Sequence, residues 1–106
     1  MELLSRREKN RATLLRLEFT TRSAVAELAH LRPEDYIGGP KASEINPRGV
    51  VWEFVRSIKD IPVYIKLTVK EYGPNENVLC ISFHEPEREY EKPYARPDAA
   101  DGGEEE

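Results

Sequence analysis

The chain has a single cysteine, Cys80, so it can form no internal disulfide and no cysteine cluster of the kind that holds a metal. Long apolar runs are also missing. Crossing a bilayer takes roughly 20 consecutive apolar residues, whereas the runs here extend over only a few. The N-terminal segment, residues 1–9, lacks the apolar core of a signal peptide. We therefore expect a cytoplasmic protein that has no membrane partner.

Most of the chain also lacks an excess of charge of either sign. The formal net charge is -4, but residues 1–95 contain 15 basic and 15 acidic side chains. The imbalance therefore comes from the C-terminal end. Because a neutral body can still carry a local basic patch, the net charge does not exclude a nucleic-acid partner.

The length of 106 residues fits one domain. From Pro86 onward the chain is rich in proline and charge, and it ends in Asp-Gly-Gly-Glu-Glu-Glu. This stretch has too little apolar content to offset the entropy lost on ordering. We predict a folded domain over residues 1–86 and a flexible acidic tail over residues 87–106.

The first third of the chain predicts two helices. Residues 3–17 are dominated by good helix formers. Thr20 or Thr21 can cap a second helix, whose apolar residues recur at helical spacing: Ala24, Val25, Leu28 and Leu31. Pro33 and the two acids after it favour a short helical turn, and Gly38-Gly39-Pro40 indicates a loop.

Three strands follow, over residues 50–58, 61–69 and 78–84. In the second strand, apolar side chains alternate with Tyr64, Lys66, Thr68 and Lys70. In the third strand, the alternation predicts Leu79, Ile81 and Phe83 on the apolar face and Cys80, Ser82 and His84 on the opposite face. The fold class predicted is α+β, with the two N-terminal helices packed on one face of a small antiparallel sheet.

The register between the strands follows from the requirement that their apolar faces coincide. A turn at Lys59-Asp60 pairs Ile58 with Ile61 and Glu53 with Lys66. In the next hairpin, pairing Ile65 with Phe83 and Leu67 with Ile81 places Tyr64 opposite His84 and Lys66 opposite Ser82. This register gathers four side chains on the face opposite the core: Glu53, Tyr64, Lys66 and His84.

This patch has the groups that RNA strand scission needs. Attack of a 2′-hydroxyl on the adjacent phosphate requires a proton acceptor, a proton donor and positive charge, and it requires no metal or other cofactor. His84 suits the general acid because histidine titrates near neutrality. Lys66 can stabilise the transition-state charge, and Tyr64 can contact the phosphate or stack on a base. Glu53 is either a base or a partner that holds Lys66.

Less specific interpretations remain beside this one. A Tyr–Lys–Glu cluster on a sheet face is commonly cross-strand pairing, and the same face can serve a non-catalytic protein- or RNA-binding module. Cys80 and His84 lie about 13 Å apart along one strand, too far for a cysteine-hydrolase pair. His30 has no partner at metal-ligand spacing, so we expect it at the surface. The acidic tail is either a solvated end or a segment that lies over a basic face and competes with RNA.

Several segments, in this order, resemble the MqsR-type toxins of bacterial toxin–antitoxin systems: Thr20–Ala24, Pro33–Tyr36 with Gly39-Pro40, Val51–Phe54, Val63–Val69 and Cys80–His84. The resemblance covers roughly residues 14 to 86. It implies a RelE-like fold and a metal-independent mRNA endonuclease that a partner antitoxin protein neutralises.

The resemblance also implies site residues. The family's active site includes the tyrosine of the Val-Tyr-x-Lys strand and a basic residue after Ser-Phe, which here are Tyr64 and His84. The residue after the strand tryptophan, often Gln in the family, is Glu53, and Lys41 is the nearest substitute for a lysine absent at Ile37. Three basic residues are our candidates for substrate binding: Lys41, Arg48 and Arg56.

Overall fold

The computed structural model describes residues 1–44, 49–72 and 75–94, which form an α+β fold with one sheet. In chain order the elements are strand β1 (Glu2–Leu3), helix α1 (Glu8–Leu17), helix α2 (Thr21–Leu28), a 3₁₀ turn (Pro33–Asp35), and strands β2 (Tyr36–Ala42), β3 (Val50–Ile58), β4 (Ile61–Tyr72) and β5 (Asn75–His84). The strand order across the sheet is β1-β5-β4-β3-β2. No helix among the described residues is long and apolar enough to cross a membrane.

The predicted helices are confirmed as elements, but the first one is shorter than expected. Helix α2 begins after Thr20, whose side-chain oxygen accepts a hydrogen bond from the Ser23 backbone N–H at 3.0 Å, and the 3₁₀ turn lies where Pro33 indicated it. The helix predicted over residues 3–17 starts only at Glu8. Leu3 instead belongs to β1, which pairs in parallel with β5 through Glu2 and Leu3, and residues 4–7 connect this strand to the helix.

The sheet is larger than predicted and it is mixed rather than wholly antiparallel. Besides the three expected strands it contains β1 at one edge and β2 at the other. The segment Gly38-Gly39-Pro40, which we predicted as a loop, belongs to β2 and pairs antiparallel with β3 with two register shifts. Glycine and proline here mark bulges in an edge strand rather than the end of a strand.

The predicted registers are confirmed where the site lies. Ile58 pairs with Ile61 and Glu53 with Lys66, so the β3–β4 hairpin turns at Lys59-Asp60. Tyr64 pairs with His84, as predicted. The pairs Ile65 with Phe83 and Lys66 with Ser82 also agree with the prediction, whereas Leu67 pairs with Cys80.

A bulge in β5 makes the predicted pairing of β4 with β5 wrong on the N-terminal side of Ser82. Leu67 pairs with Cys80 and not with Ile81, because the register shifts by one residue after Lys66. Cys80 is therefore fully buried in the hydrophobic core, on the side where we had placed its neighbours. One extra residue in a strand moves every side chain past that residue to the opposite face of the sheet.

Buried Asn10 of α1 holds this bulge. Its side-chain amide donates to the backbone oxygens of Leu4 (2.8 Å) and Ile81 (2.9 Å), and its oxygen accepts from the Phe83 N–H at 2.9 Å. A bulge leaves backbone groups without ladder partners, and here one amide side chain satisfies them. Asn10 thereby ties α1 to the part of β5 that carries Ser82 and His84.

The hydrophobic core lies between the helices and one face of the sheet. Its buried members come from both layers: Leu3, Leu14, Leu17, Ala24, Leu28, Ile58, Val63, Ile65, Cys80 and Phe83. Since neighbouring side chains on a strand point to opposite faces, Tyr64 and Lys66 project away from this core.

The chain continues past His84 against the sheet as far as Tyr94. Tyr90 stacks on Tyr64, and Tyr94 packs against Tyr36 with ring centroids 5.5 Å apart. We predicted a flexible tail from residue 87, yet residues 87–94 make these contacts with the body. The rest of the predicted tail, residues 95–106, lies outside the described residues.

Candidate functional site

A hydrogen-bonded group of three side chains forms the centre of the site. The Tyr64 hydroxyl donates to the Glu53 carboxylate, and the Lys41 ammonium lies 2.6 Å from the other carboxylate oxygen. Lys66 pairs with Glu53 across the two strands and adds a second positive charge beside it. Strands β2, β3 and β4 thus each contribute to one cluster, and four residues singled out in the sequence come together: Lys41, Glu53, Tyr64 and Lys66.

Two glycines of β2 make room for this group. A side chain at Gly38 would come within 3.2 Å of both the Glu53 carboxylate and the Lys41 side chain. Gly39 has a φ of +112°, and a Cβ there would come within 2.6 Å of the Val51 carbonyl oxygen. The glycines therefore allow β2 to approach β3 closely enough for Lys41 to reach Glu53.

A cleft of about 300 Å³ opens beside the cluster. Its lining consists of nine residues: Arg7, Lys41, Ala42, Ser43, Glu44, Val51, Glu53, Lys66 and Ile81. Three of these are cations, each from a different part of the chain. Two acids, Glu44 and Glu53, also line the cleft, so the three cations exceed the carboxylates by one charge. The cleft therefore offers positive charge to an anion of the size of a phosphate group.

Arg7 is a site residue that the sequence did not indicate. One nitrogen of its guanidinium donates to the Ile81 carbonyl oxygen at 2.8 Å and lies 3.3 Å from the Ser82 hydroxyl. Arg7 precedes α1, and β1 and α1 together carry it to the β5 bulge. Its position depends on a bulge and a two-residue strand, neither of which has a recognisable local pattern.

His84 lies beside Tyr64, as predicted, but neither side chain lines the cleft. The two ring centroids are 5.4 Å apart, and one ring nitrogen of His84 is 2.9 Å from the Glu85 carbonyl oxygen. His84 instead borders a shallow depression with Thr13 of α1. Tyr64 is therefore in contact with both the Glu53 cluster and His84.

This face of the sheet is less open than the sequence suggested. Glu53, Tyr64 and His84 are 9%, 6% and 8% exposed. Tyr90 covers Tyr64, with ring centroids 5.3 Å apart and planes inclined by 17°, and the Arg88 guanidinium lies 4.4 Å from the Tyr90 centroid. The C-terminal segment therefore covers part of the surface that we expected to face solvent.

The cluster shifts the ionisation of its members. Burial acts to raise the pKa of Glu53, but the hydrogen bonds from Lys41 and Tyr64 and the charges of Lys41 and Lys66 outweigh it and lower this pKa. Burial raises the pKa of Tyr64, and its bond to the Glu53 carboxylate raises it further. Near neutral pH the pair is therefore a carboxylate and a protonated phenol, with the phenol as the hydrogen-bond donor.

The structure does not bring Arg56 to this cluster. Arg56 lies on the helix-covered face, where it pairs with Glu27 of α2 at 3.0 Å and with Asp35 at 3.4 Å. Its side chain is only 19% exposed, so it ties the sheet to α2 and the 3₁₀ turn. Arg48, also a candidate for substrate binding, lies outside the described residues.

Neither Cys80 nor His30 belongs to the site. Burial raises the pKa of the Cys80 thiol to about 12, which keeps it protonated and unreactive. His30 is at the surface after α2, as predicted. Within residues 1–44, 49–72 and 75–94, no group of three or more His, Cys, Asp or Glu side chains is placed to hold a metal ion.

The fold and cluster define an α+β protein with a cationic cleft beside a Lys–Glu–Tyr group. No family model, curated protein or solved structure matches the chain.

Proposed function

We propose that this chain is an endoribonuclease that cleaves RNA by attack of a 2′-hydroxyl on the adjacent phosphate. The observation that carries the proposal is the meeting of Lys41, Glu53 and Lys66 at one cationic cleft, with Tyr64 hydrogen-bonded to Glu53. The resemblance to MqsR-type toxins supports it. The proposal includes the RelE-like arrangement, the role of toxin with a partner antitoxin protein, and a cytoplasmic setting.

Substrate binding begins with the phosphate. Arg7, Lys41 and Lys66 line the cleft and offset the charge that grows on the phosphoryl oxygens in the transition state. The Lys41 side chain is 54% exposed and pairs with Glu53 in the free protein. A phosphate competes for this ammonium and releases one Glu53 oxygen.

Glu53 then accepts the proton of the attacking 2′-hydroxyl. The new bond joins the 2′-oxygen to phosphorus, and the bond from phosphorus to the 5′-oxygen breaks. Tyr64 keeps its proton and orients Glu53 through their hydrogen bond. The low pKa of Glu53 makes it a weak base when Lys41 is bound, and displacement of Lys41 strengthens it.

His84 supplies the proton that the departing 5′-oxygen needs. Its imidazole is next to Tyr64 and borders a separate depression. The products are a 2′,3′-cyclic phosphate and a 5′-hydroxyl. Because His84 does not line the cleft that binds the phosphate, this role requires His84 and the 5′-oxygen to come within hydrogen-bond distance when RNA binds.

The test is incubation of the purified protein with a defined single-stranded RNA in a metal chelator, followed by identification of the new ends. We expect 2′,3′-cyclic phosphate and 5′-hydroxyl ends. Absence of cleavage at every pH from about 5 to 8, the range in which histidine normally titrates, contradicts the proposal.

A second candidate is a binding module without catalysis, which uses the same face for RNA or a protein. The covering of Tyr64 by Tyr90 and the absence of His84 from the cleft lining favour it. It predicts that the wild-type chain binds RNA or a partner and leaves RNA intact.

A further inference from the structure

Four side chains make successive contacts on the face opposite the helices. The Arg88 guanidinium lies over the Tyr90 ring, Tyr90 stacks on Tyr64, and the His84 imidazole lies against Tyr64 at a tilt of 41°. The Tyr90 and Tyr64 rings are nearly parallel, at 17°, with centroids 5.3 Å apart. Tyr90 thus covers the exposed side of a ring that also belongs to the Glu53 cluster.

A cleft next to Tyr90 leaves space on the sheet side of the segment. Its volume is about 520 Å³, with Val55 and Pro62 of the sheet on one side and residues 85–90, three of them glutamates, on the other. Val55 pairs with Tyr64 across the strands, so an apolar side chain lies beside the ring on which Tyr90 stacks. Aromatic rings with exposed faces are what proteins use to stack the bases of single-stranded RNA.

The segment that places Tyr90 there is held by contacts that open easily. Its ion pairs to α1, between Lys9 and Glu87 and between Arg16 and Glu85, involve side chains that are 40% to 63% exposed. Exposed ion pairs contribute little and are screened by salt. Beyond Tyr90 the segment is also held by Lys92, whose ammonium lies 3.9 Å from the Asp35 carboxylate, and by Tyr94, which packs on Tyr36. For Tyr90 itself, the stack on Tyr64 is the contact that an incoming ring has to replace.

We propose that the face of Tyr64 is a binding site for a nucleobase, and that Tyr90 occupies this site in the free protein. A base of single-stranded RNA displaces Tyr90 and stacks on Tyr64. Its phosphate then lies toward the Arg7–Lys41–Lys66 cleft. The inference rests on the proposed function in one respect, namely that the ligand is RNA-like.

Binding of oligonucleotides that lack the attacking hydroxyl tests the site separately from cleavage. The probes are a short single-stranded 2′-deoxy oligonucleotide and an abasic oligonucleotide of the same length and charge. Tyr90→Ala is expected to bind the base-containing probe about two- to tenfold more tightly than the wild type, since it removes a competing aromatic stack. Affinity for the abasic probe is expected to stay unchanged.

Two variants serve as controls. Tyr90→Phe keeps the stacked ring and should bind like the wild type. Tyr94→Ala removes the other tyrosine of the same segment, which packs on Tyr36 and not on Tyr64, and should also bind like the wild type. An equal gain for both probes, or no gain for Tyr90→Ala, overturns the proposal.

The wild-type protein provides a test that does not depend on the folding of any variant. Tyrosine nitration mapped by mass spectrometry should show Tyr90 becoming more reactive, relative to Tyr94, when the base-containing probe saturates the protein. The abasic probe should leave the ratio unchanged. A Tyr90 reactivity that stays constant with both probes contradicts displacement, whether or not the protein cleaves RNA.

Discussion

The Tyr64 hydroxyl donates a hydrogen bond to the Glu53 carboxylate, diagonally across strands β3 and β4. The same carboxylate binds Lys41 at 2.6 Å and lies opposite Lys66. Two cations and one phenol therefore stabilise a single buried negative charge. The result is a preorganised group in which two cations surround one carboxylate, so it keeps an excess of positive charge that can attract an anion.

This cluster predicts a dependence of stability on pH. The pKa of Glu53 in the folded state is lower than its ordinary value of 4.5. The contribution of Glu53 to folding stability is therefore present above pH 4.5, and it is lost as the pH falls through the lowered pKa of the folded state. Urea unfolding at a series of pH values should show this loss. Glu53→Gln should lower the free energy of unfolding by about 1–2 kcal/mol at neutral pH. On acidification its free energy of unfolding should fall less than that of the wild type. An identical acid slope in both proteins contradicts the assignment.

Arg7 is expected to bind phosphate in the cleft. Arg7→Ala should weaken binding of a 2′-deoxy oligonucleotide and reduce the slope of log affinity against log salt by about one unit. Arg6→Ala is the matched control because Arg6 is an exposed neighbour that does not line the cleft. Equal salt slopes for the two variants exclude Arg7 from the site.

The role of Asn10 is tested through stability. Asn10→Ala leaves the buried Phe83 N–H without its partner, and it removes one of two donors to the Ile81 carbonyl oxygen, the other being Arg7. The expected cost is about 1–3 kcal/mol. Denaturant unfolding measures this cost. Arg11→Ala, an exposed change on the same helix, should stay within about 0.5 kcal/mol of the wild type. A small effect for Asn10→Ala shows that the bulge does not depend on it.

Cys80 should be inert in the folded chain. The thiol is fully buried, and burial raises its pKa to about 12. A thiol reagent at neutral pH is expected to label one cysteine per chain in denaturant and almost none in buffer. Rapid labelling in buffer means that β5 opens or that the bulge places Cys80 elsewhere.

Strand alternation was sufficient to predict the centre of the site. Strands β3 and β4 each have one apolar face, and the need to bury both faces, together with a turn at Lys59-Asp60, predicted the pairing of Glu53 with Lys66. The same reasoning placed Tyr64 opposite His84. His84 and Ser82 lie on the C-terminal side of the β5 bulge, where the predicted register holds.

The remaining features depend on contacts between distant parts of the chain. The bulge at Ile81 is held by Asn10, which is 71 residues away in sequence. Strand β1 has only two residues, too few for any pattern, and β2 forms despite Gly38-Gly39-Pro40 because it pairs with β3. Arg7 reaches the site because β1 pairs with β5, and Tyr90 reaches it through the segment after His84. The sequence around each of these two residues has no pattern that predicts this.

The account depends most on chemistry at the Tyr64–Glu53 pair, and single-turnover cleavage of a defined RNA tests it most directly. Tyr64→Phe removes one hydroxyl and keeps the ring, and it should slow cleavage about 10²- to 10³-fold, as loss of a preorganised donor at an active site does. Tyr94→Phe, which alters an exposed ring outside the cluster, should cleave at the wild-type rate. Cleavage by Tyr64→Phe at the wild-type rate contradicts the account.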